Sequence, residues 1–281
     1  MKIHKIKSHA KINLNLNITG RLPNKKMHKV ESLISFIKLA DIIKISENKS
    51  NKHSVVFDGK FSKDIPKKNS ISKVLNLMDK KKSLKSKKYF IKITKNIPQK
   101  SGMGGGSMNA ASILKFFLKK KIINLSEARI FAQKTSSDVI LGLNNKAKIL
   151  YSDNSLKELN KSLSFYLILI KPRFGCSTKK VYSQNKIFTK KQYFKKRKLL
   201  IDKKHIFRGK NDLEKSAFKI YPRLSVLKSR ILYFKRGETV RMTGSGSTMV
   251  VYFNSKVSAI NALNVYKKKL NKNWCILSKI I

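Results

Sequence analysis

Between residues 98 and 111 the chain reads Pro98-Gln99-Lys100-Ser101-Gly102-Met103-Gly104-Gly105-Gly106-Ser107-Met108-Asn109-Ala110-Ala111, with four glycines inside five positions. The flanks decide what that cluster does. Upstream, Tyr89-Phe90-Ile91-Lys92-Ile93-Thr94 alternates apolar and polar side chains as a strand does, and Asn96-Ile97-Pro98 breaks it. Downstream, Ala111, Leu114 and Leu118 recur near helical spacing, which predicts a helix over 107–120. A glycine turn between a strand and a helix start is a setting for an oxyanion. No Cβ stands in the way, the first amides of the helix lack partners, and the helix dipole favours negative charge. The Ser107 hydroxyl adds a contact for a phosphate or its Mg²⁺. This is not a Walker A loop, which closes on Gly-Lys-Ser/Thr, nor a dinucleotide fingerprint within a βαβ unit. A glycine turn without a ligand is the alternative that the segment by itself leaves open.

Working outward, Ala10 to Ile18 alternates apolar with polar residues and predicts a strand ended by Gly20. Val30–Ile37 is a mixed segment leading into Asp41–Ser46, and Val55–Gly59 reads as a strand closing at a turn. An amphipathic helix is expected around Ile71–Met78, another beyond Ser126 with Glu127 early in it, and a strand near Ala147–Tyr151. The polar stretch Ser152-Asp153-Asn154-Ser155 marks a boundary, so two domains are expected, 1–154 and 155–281. Past it come a strand at Phe165–Lys171, helices through a basic middle, a strand at Thr248–Phe253, a helix at Val257–Leu270 and a last strand from Trp274 to Ile281. Short blocks of strand and helix without repeated βαβ units predict an α+β architecture.

The 281 residues are 41% hydrophobic, enough to bury a core. The longest apolar strand-like run, Phe165–Ile170, is far short of the roughly 20 residues of a membrane-spanning helix. The basic N-terminus is followed by Lys11, Asn13, Asn15 and Asn17 instead of an apolar stretch, so a cytoplasmic protein is expected. Cys176 and Cys275 form no close ligand pair and no disulfide framework. A net charge of +51 suggests an anionic partner. Lysine is nevertheless spread over nearly the whole chain alongside Asn and Ile, as AT-rich codon drift produces, whereas a nucleic-acid binder concentrates charge and interleaves aromatics. Nucleic acid is therefore not the expected partner, although the runs Lys80–Lys88 and Lys190–Lys198 keep that reading as an alternative.

The string Pro-x-x-x-Gly-Met-Gly-Gly-Gly-Ser-x-Asn-Ala-Ala resembles the phosphate-binding motif of the GHMP kinases, in the form found in members whose acceptor is a cytidine-diphosphate sugar alcohol. Ser8-His9-Ala10-Lys11-Ile12-Asn13-Leu14 with Ile18-Thr19-Gly20-Arg21 is similar to the family's opening segment. Ser137-Asp138-Val139 resembles its Ala-Asp-Val-Pro, and Arg241–Ser247 its C-terminal Leu-Thr-Gly-Ser-Gly. Asn211-Asp212-Leu213-Glu214 is a weaker match, and the likeness covers essentially the full length. It implies the two-domain GHMP fold with catalysis in the cleft between the halves, an N-terminal ATP-binding domain, and ATP carrying Mg²⁺ as phosphoryl donor.

By the same resemblance, Asp138 takes the proton from the substrate hydroxyl and Lys11 stabilises the developing alkoxide, in keeping with phosphoryl transfer, which needs mainly positioning and charge stabilisation. Pro98, Lys100, Ser101, Gly102, Met103, Gly104, Gly105, Gly106, Ser107 and Asn109 hold ATP. Asn13, His28, Thr178, Tyr182, Thr243, Gly244, Ser245 and Gly246 line the acceptor. There His28 lies against the cytosine ring and Tyr182 stacks on it; the other histidines read as surface or structural. No protein metal cluster is implied, and the chain is expected as a monomer or homodimer. It departs from the family at Lys25-Lys26-Met27-His28, where Asp-Gly-Tyr-His is usual, and at Ile140, where proline is usual. A GHMP kinase of homoserine or mevalonate type, a nucleic-acid-binding protein on the same scaffold and an ATP-binding homologue without turnover are the alternatives.

Overall fold

The computed structural model describes residues 2–22, 27–160, 164–195 and 201–281; Lys25 and Lys26, and Lys196, Arg197 and Lys198 of the second basic run, lie outside the described residues. In chain order the elements are β1 (His4–Asn13), β2 (Asn17–Arg21), β3 (His28–Asn48), β4 (Ser54–Asp58), α1 (Ser70–Lys80), β5 (Lys88–Thr94), α2 (Gly105–Lys119), α3 (Leu125–Thr135), β6 (Lys148–Leu150) and β7 (Leu156–Glu158). There follow β8 (Tyr166–Lys171), α4 (Thr178–Ser183), α5 (Lys203–Arg208), α6 (Leu213–Ile220), α7 (Pro222–Tyr233), β9 (Thr239–Met242), β10 (Met249–Phe253), α8 (Lys256–Lys269) and β11 (Trp274–Lys279). The architecture is α+β, as its alternation of short blocks predicts.

The chain divides into two compact units: Met1–Lys11, Leu39–Gln99 and Gly104–Asn145 make the first, and Ile12–Lys38, Lys100–Met103 and Lys146–Ile281 the second. In the first, the C-terminal part of β3 pairs antiparallel with β5 from Ile42↔Thr94 to Asn48↔Lys88, and β5 runs parallel to β4. Inward-facing Ile43, Ile45, Ile91 and Ile93 pack against Val74, Leu75 and Met78 of α1 and Ile113, Leu114 and Phe117 of α2. Two helix starts carry side-chain caps: Asn69 with Ser72 closes the start of α1, and Asn124 with Glu127 that of α3.

In the second unit an antiparallel sheet runs β11-β8-β10-β9. Its Ile168, Ile170, Met249 and Val251 join Leu213 and Ala217 of α6, Leu224 and Leu227 of α7, and Ala259 and Ala262 of α8 in one core. The N-terminal part of β3 pairs with β2 and β6, and β6 with β7.

Two expectations are corrected. Ala10–Ile18 is not one strand but the end of β1 and the start of β2. Around Asn15 the ladder is interrupted: the Asn15 side chain accepts the Leu33 N–H at 2.6 Å, the Ser32 hydroxyl donates to the Asn15 carbonyl at 2.5 Å, and Leu16 N–H turns to the Lys210 carbonyl. Conversely, Val30–Ile37 and Asp41–Ser46 are one 21-residue strand, β3. No helix among the described residues is long and apolar enough to cross a membrane.

Candidate active site

In the first unit α2 begins at Gly105 behind Gly104, whose φ of 67° is left-handed and whose side of the turn offers no capping side chain. A Cβ on Gly104 would stand 3.0 Å from Cγ of Lys11, so the turn and the Lys11 side chain pass in contact only because residue 104 is glycine. Lys11 is nearly buried and its Nζ lies 3.5 Å from Oδ2 of Asp138, whose side chain is 39% exposed. A carboxylate open to a ligand beside a shielded ammonium is the arrangement a proton acceptor and an alkoxide-stabilising cation require. The Ser107 and Ser136 hydroxyls are 3.2 Å apart. Asn109, buried in the first turns of α2, leaves its Oδ1 without a hydrogen-bond partner among the described residues.

Beneath this turn sits a feature the sequence did not reveal. Asp41, fully buried, accepts from Lys95 Nζ, from Asn96 N–H at 2.7 Å and from Ile97 N–H at 2.8 Å. The carboxylate fixes the chain just before Pro98. Lys95 Nζ in turn lies 3.4 Å from where a Cβ on Gly105 would be. In a chain with 65 basic residues nothing marks Lys95, and Asp41 stands alone between two apolar stretches.

In the second unit the segment Lys100–Met103 is laced to the turn after β9. The Lys100 carbonyl accepts from Cys176 N–H and the Ser101 carbonyl from Thr248 N–H, both at 3.2 Å. Gly102, with φ of 77°, leaves no room for a Cβ, which would collide with the Thr243 carbonyl oxygen. Thr243 Oγ1 accepts from Asn13 N–H at 3.0 Å, the Asn13 amide donates to Ser32 Oγ at 2.8 Å, and Thr178 and Ser245 share a hydroxyl contact of 2.9 Å. Asn211 donates to the carbonyls of Met242 and Gly244, which assigns the weakly matching Asn-Asp-Leu-Glu segment a structural task in holding the Thr243–Gly246 turn. Asn13, Thr178, Thr243, Gly244, Ser245 and Gly246 are thus brought together.

His28 and Tyr182 form a separate aromatic cluster, ring centroids 5.5 Å apart. Phe188 adds a third ring 6.3 Å from His28, and the Arg21 guanidinium lies 6.0 Å over Phe188. Sequence reading missed Phe188 and Arg21, for an aromatic in a loop carries no periodic signal. Burial and the Arg21 charge push His28 below the usual histidine value, opposed by a hydrogen bond with the Asn185 backbone. Its Nε2 has no hydrogen-bond partner among the described residues. Met27 is 54% exposed.

Residues 69–147 match the GHMP kinases N-terminal domain. Over its whole length the chain is 46% identical to the whole 4-diphosphocytidyl-2-C-methyl-D-erythritol kinase of Pelagibacter ubique. It is 29% identical to the enzyme of the same name from Thermoanaerobacter pseudethanolicus, with 90% of this chain and 89% of that one aligned. A crystal structure of 4-(cytidine 5'-diphospho)-2C-methyl-D-erythritol kinase superposes with a TM-score of 0.79 at 20% identity, covering 99% of both chains; that likeness speaks for the fold.

Proposed function

The chain belongs to the 4-diphosphocytidyl-2-C-methyl-D-erythritol kinases of the GHMP superfamily, and from that premise we propose how its own residues carry the reaction. The protein is a phosphotransferase that uses ATP to phosphorylate the 2-hydroxyl of 4-diphosphocytidyl-2-C-methyl-D-erythritol, a step of the non-mevalonate route to isoprenoid precursors. The observation that carries the mechanism is the Lys11–Asp138 pair of 3.5 Å in the same unit as the glycine-led start of α2.

In our reading the free amides at the start of α2, with Gly104, Gly105, Gly106 and Ser107, hold the transferring phosphates, because unpaired N–H groups and the helix dipole both favour an anion there. Asp138 accepts the proton of the attacking hydroxyl and Lys11 offsets the negative charge that grows on that oxygen. Pro98, Lys100, Ser101, Met103 and Asn109 complete the nucleotide's surroundings, and the partnerless Oδ1 of Asn109 supports a polar ligand beside it. Among the described residues no group of three or more His, Cys, Asp or Glu side chains is placed to hold a metal. The Ser107 hydroxyl at the start of α2 is the side-chain oxygen that would meet a Mg²⁺ ion carried in on the nucleotide. Bound there, Mg²⁺ would neutralise charge on the phosphates.

For the acceptor we assign the cytosine to the rings of His28 and Tyr182, and the sugar alcohol to Asn13, Thr178 and the Thr243–Gly246 turn. An unpaired Nε2 on a ring held neutral by burial and by Arg21 suits an uncharged heteroaromatic with its own donors. We further propose residues 1–154 as the N-terminal ATP-binding domain and 155–281 as the C-terminal domain, acting as a monomer or homodimer in the cytoplasm.

The test is ADP release with ATP and Mg²⁺, comparing 4-diphosphocytidyl-2-C-methyl-D-erythritol with homoserine and mevalonate. Turnover on the first alone, abolished by Asp138→Asn, is expected. Turnover on homoserine or mevalonate at a comparable rate would overturn the acceptor assignment.

A further inference from the structure

A cavity of about 880 Å³ lies wholly within the second unit, walled by residues between Gln184 and Arg241. It includes no residue of the glycine turn, neither Lys11 nor Asp138, and neither His28 nor Tyr182. Its wall is strongly cationic: Lys186, Arg208, Lys210, Lys215 and Lys219 are joined by Lys228 and by the buried Arg241, against two carboxylates, Asp212 and Glu214.

Both carboxylates are already engaged. Asp212 accepts from Ile18 N–H at 2.7 Å and from the Thr189 hydroxyl at 2.8 Å, and Glu214 from Met242 N–H at 2.7 Å and from Lys228 Nζ at 2.6 Å. Arg241 spends its guanidinium on the carbonyls of Leu14, Ile206 and Phe207. The remaining five cations are different. All 14 Asp and Glu of the chain fall among the described residues, and none of them forms an ion pair with Lys186, Arg208, Lys210, Lys215 or Lys219. Like charges facing one concave space focus the potential and raise the local concentration of anions.

The geometry points to a second ligand site here, for a small molecule bearing two or more phosphate groups. The volume is that of a small-molecule pocket. A nucleic-acid strand instead tracks an open groove on which bases stack on aromatic faces; the one ring in this wall, Phe218, already has the Lys228 ammonium 5.9 Å from its centroid. Several separate ammonium groups with one guanidinium suit dispersed phosphate oxygens, since lysine acts on phosphate as a point charge and arginine as a fork.

The test is calorimetric titration of the full chain with inorganic tripolyphosphate at physiological ionic strength. Two sites are expected, one at the glycine turn and one in the cavity. Lys215→Glu/Lys219→Glu, exposed and four residues apart on α6, is expected to weaken the cavity site at least ten-fold while kinase turnover and the unfolding midpoint stay as in the wild type. Lys80→Glu/Lys82→Glu, which reverses as many charges elsewhere, is expected to leave both sites within two-fold. Equal loss in the two double variants would reduce the effect to overall charge and overturn the site, as would a single site in the wild type. Binding of an oligonucleotide, but not of tripolyphosphate, that disappears in Lys215→Glu/Lys219→Glu would replace the small ligand with a nucleic acid.

Discussion

Gly102 and Gly104 stand where a Cβ would strike the Thr243 carbonyl or crowd Lys11, whereas the rings of Tyr182 and Phe188 lie 5.5 and 6.3 Å from that of His28. In the first region the constraint falls on the backbone, and only one residue type meets it. In the second it falls on side-chain shape, which several combinations of rings satisfy. That contrast explains why the glycine string can be read from residue type alone while the rings around His28 cannot.

The first region breaks most completely at its carboxylate. Asp138→Asn keeps the shape and removes the proton acceptor, so kcat should fall by roughly 10²- to 10⁴-fold, the range for general-base removal. The KM for ATP should stay within a few-fold, and a steady-state rate at saturating substrates reads the difference. A fall confined to KM would move the base elsewhere.

Next comes the support under the turn. Asp41→Asn leaves the buried Lys95 ammonium facing a neutral amide, and breaking a buried pair by removing one partner costs about 3–5 kcal/mol. Denaturant unfolding should show a midpoint lowered by that free energy divided by the slope, with the slope itself unchanged. A surface-like loss below about 1 kcal/mol would mean that the pair is solvated.

How far these regions were legible in sequence follows from the same contrast. The glycine cluster announced itself because backbone geometry is written directly into residue type. The alternation in β5 did so for a similar local reason. What stayed hidden depends on distant partners. The continuity of β3 rests on pairing with β5 at one end and β6 at the other. The break at Asn15 rests on Leu33 and Ser32. Lys95 is one lysine among many until Asp41 is seen beside it, and Phe188 is a loop aromatic until His28 and Arg21 are found around it.

In the second region, Tyr182→Ala should raise the acceptor KM about 5- to 150-fold, as loss of one base-stacking ring worth roughly 1–3 kcal/mol does. The KM for ATP should not follow. Equal changes in both would assign Tyr182 to packing of α4 instead.

The pH dependence is smaller and has a definite sign. With its native value depressed below 6.5 by burial and by Arg21, His28 binds a proton less readily in the folded protein than in the unfolded chain. Its contribution to stability is complete above pH 6.5 and is lost as pH falls through the lower folded value. The acceptor KM should be flat from pH 8 to 6.5 and rise on further acidification, and His28→Gln should remove that rise. A rise beginning above pH 7 would contradict a neutral ring.

The gentlest test adds what the chain lacks. Met27 is exposed beside His28, and a methionine packs on a base without presenting an extended π-face. Phe188 supplies a ring near His28 from another part of the chain, already covered on one side by Arg21. If Phe188 does the work of the family's tyrosine, Met27→Tyr should lower the acceptor KM only about two- to three-fold, because the stacking position is taken. Made in Phe188→Ala, the same substitution should recover most of the affinity lost, giving a coupling energy on the order of 1 kcal/mol in the double-mutant cycle. Strict additivity would separate the two positions, and the comparison would then have to be redrawn with Tyr182 as the ring that carries the base.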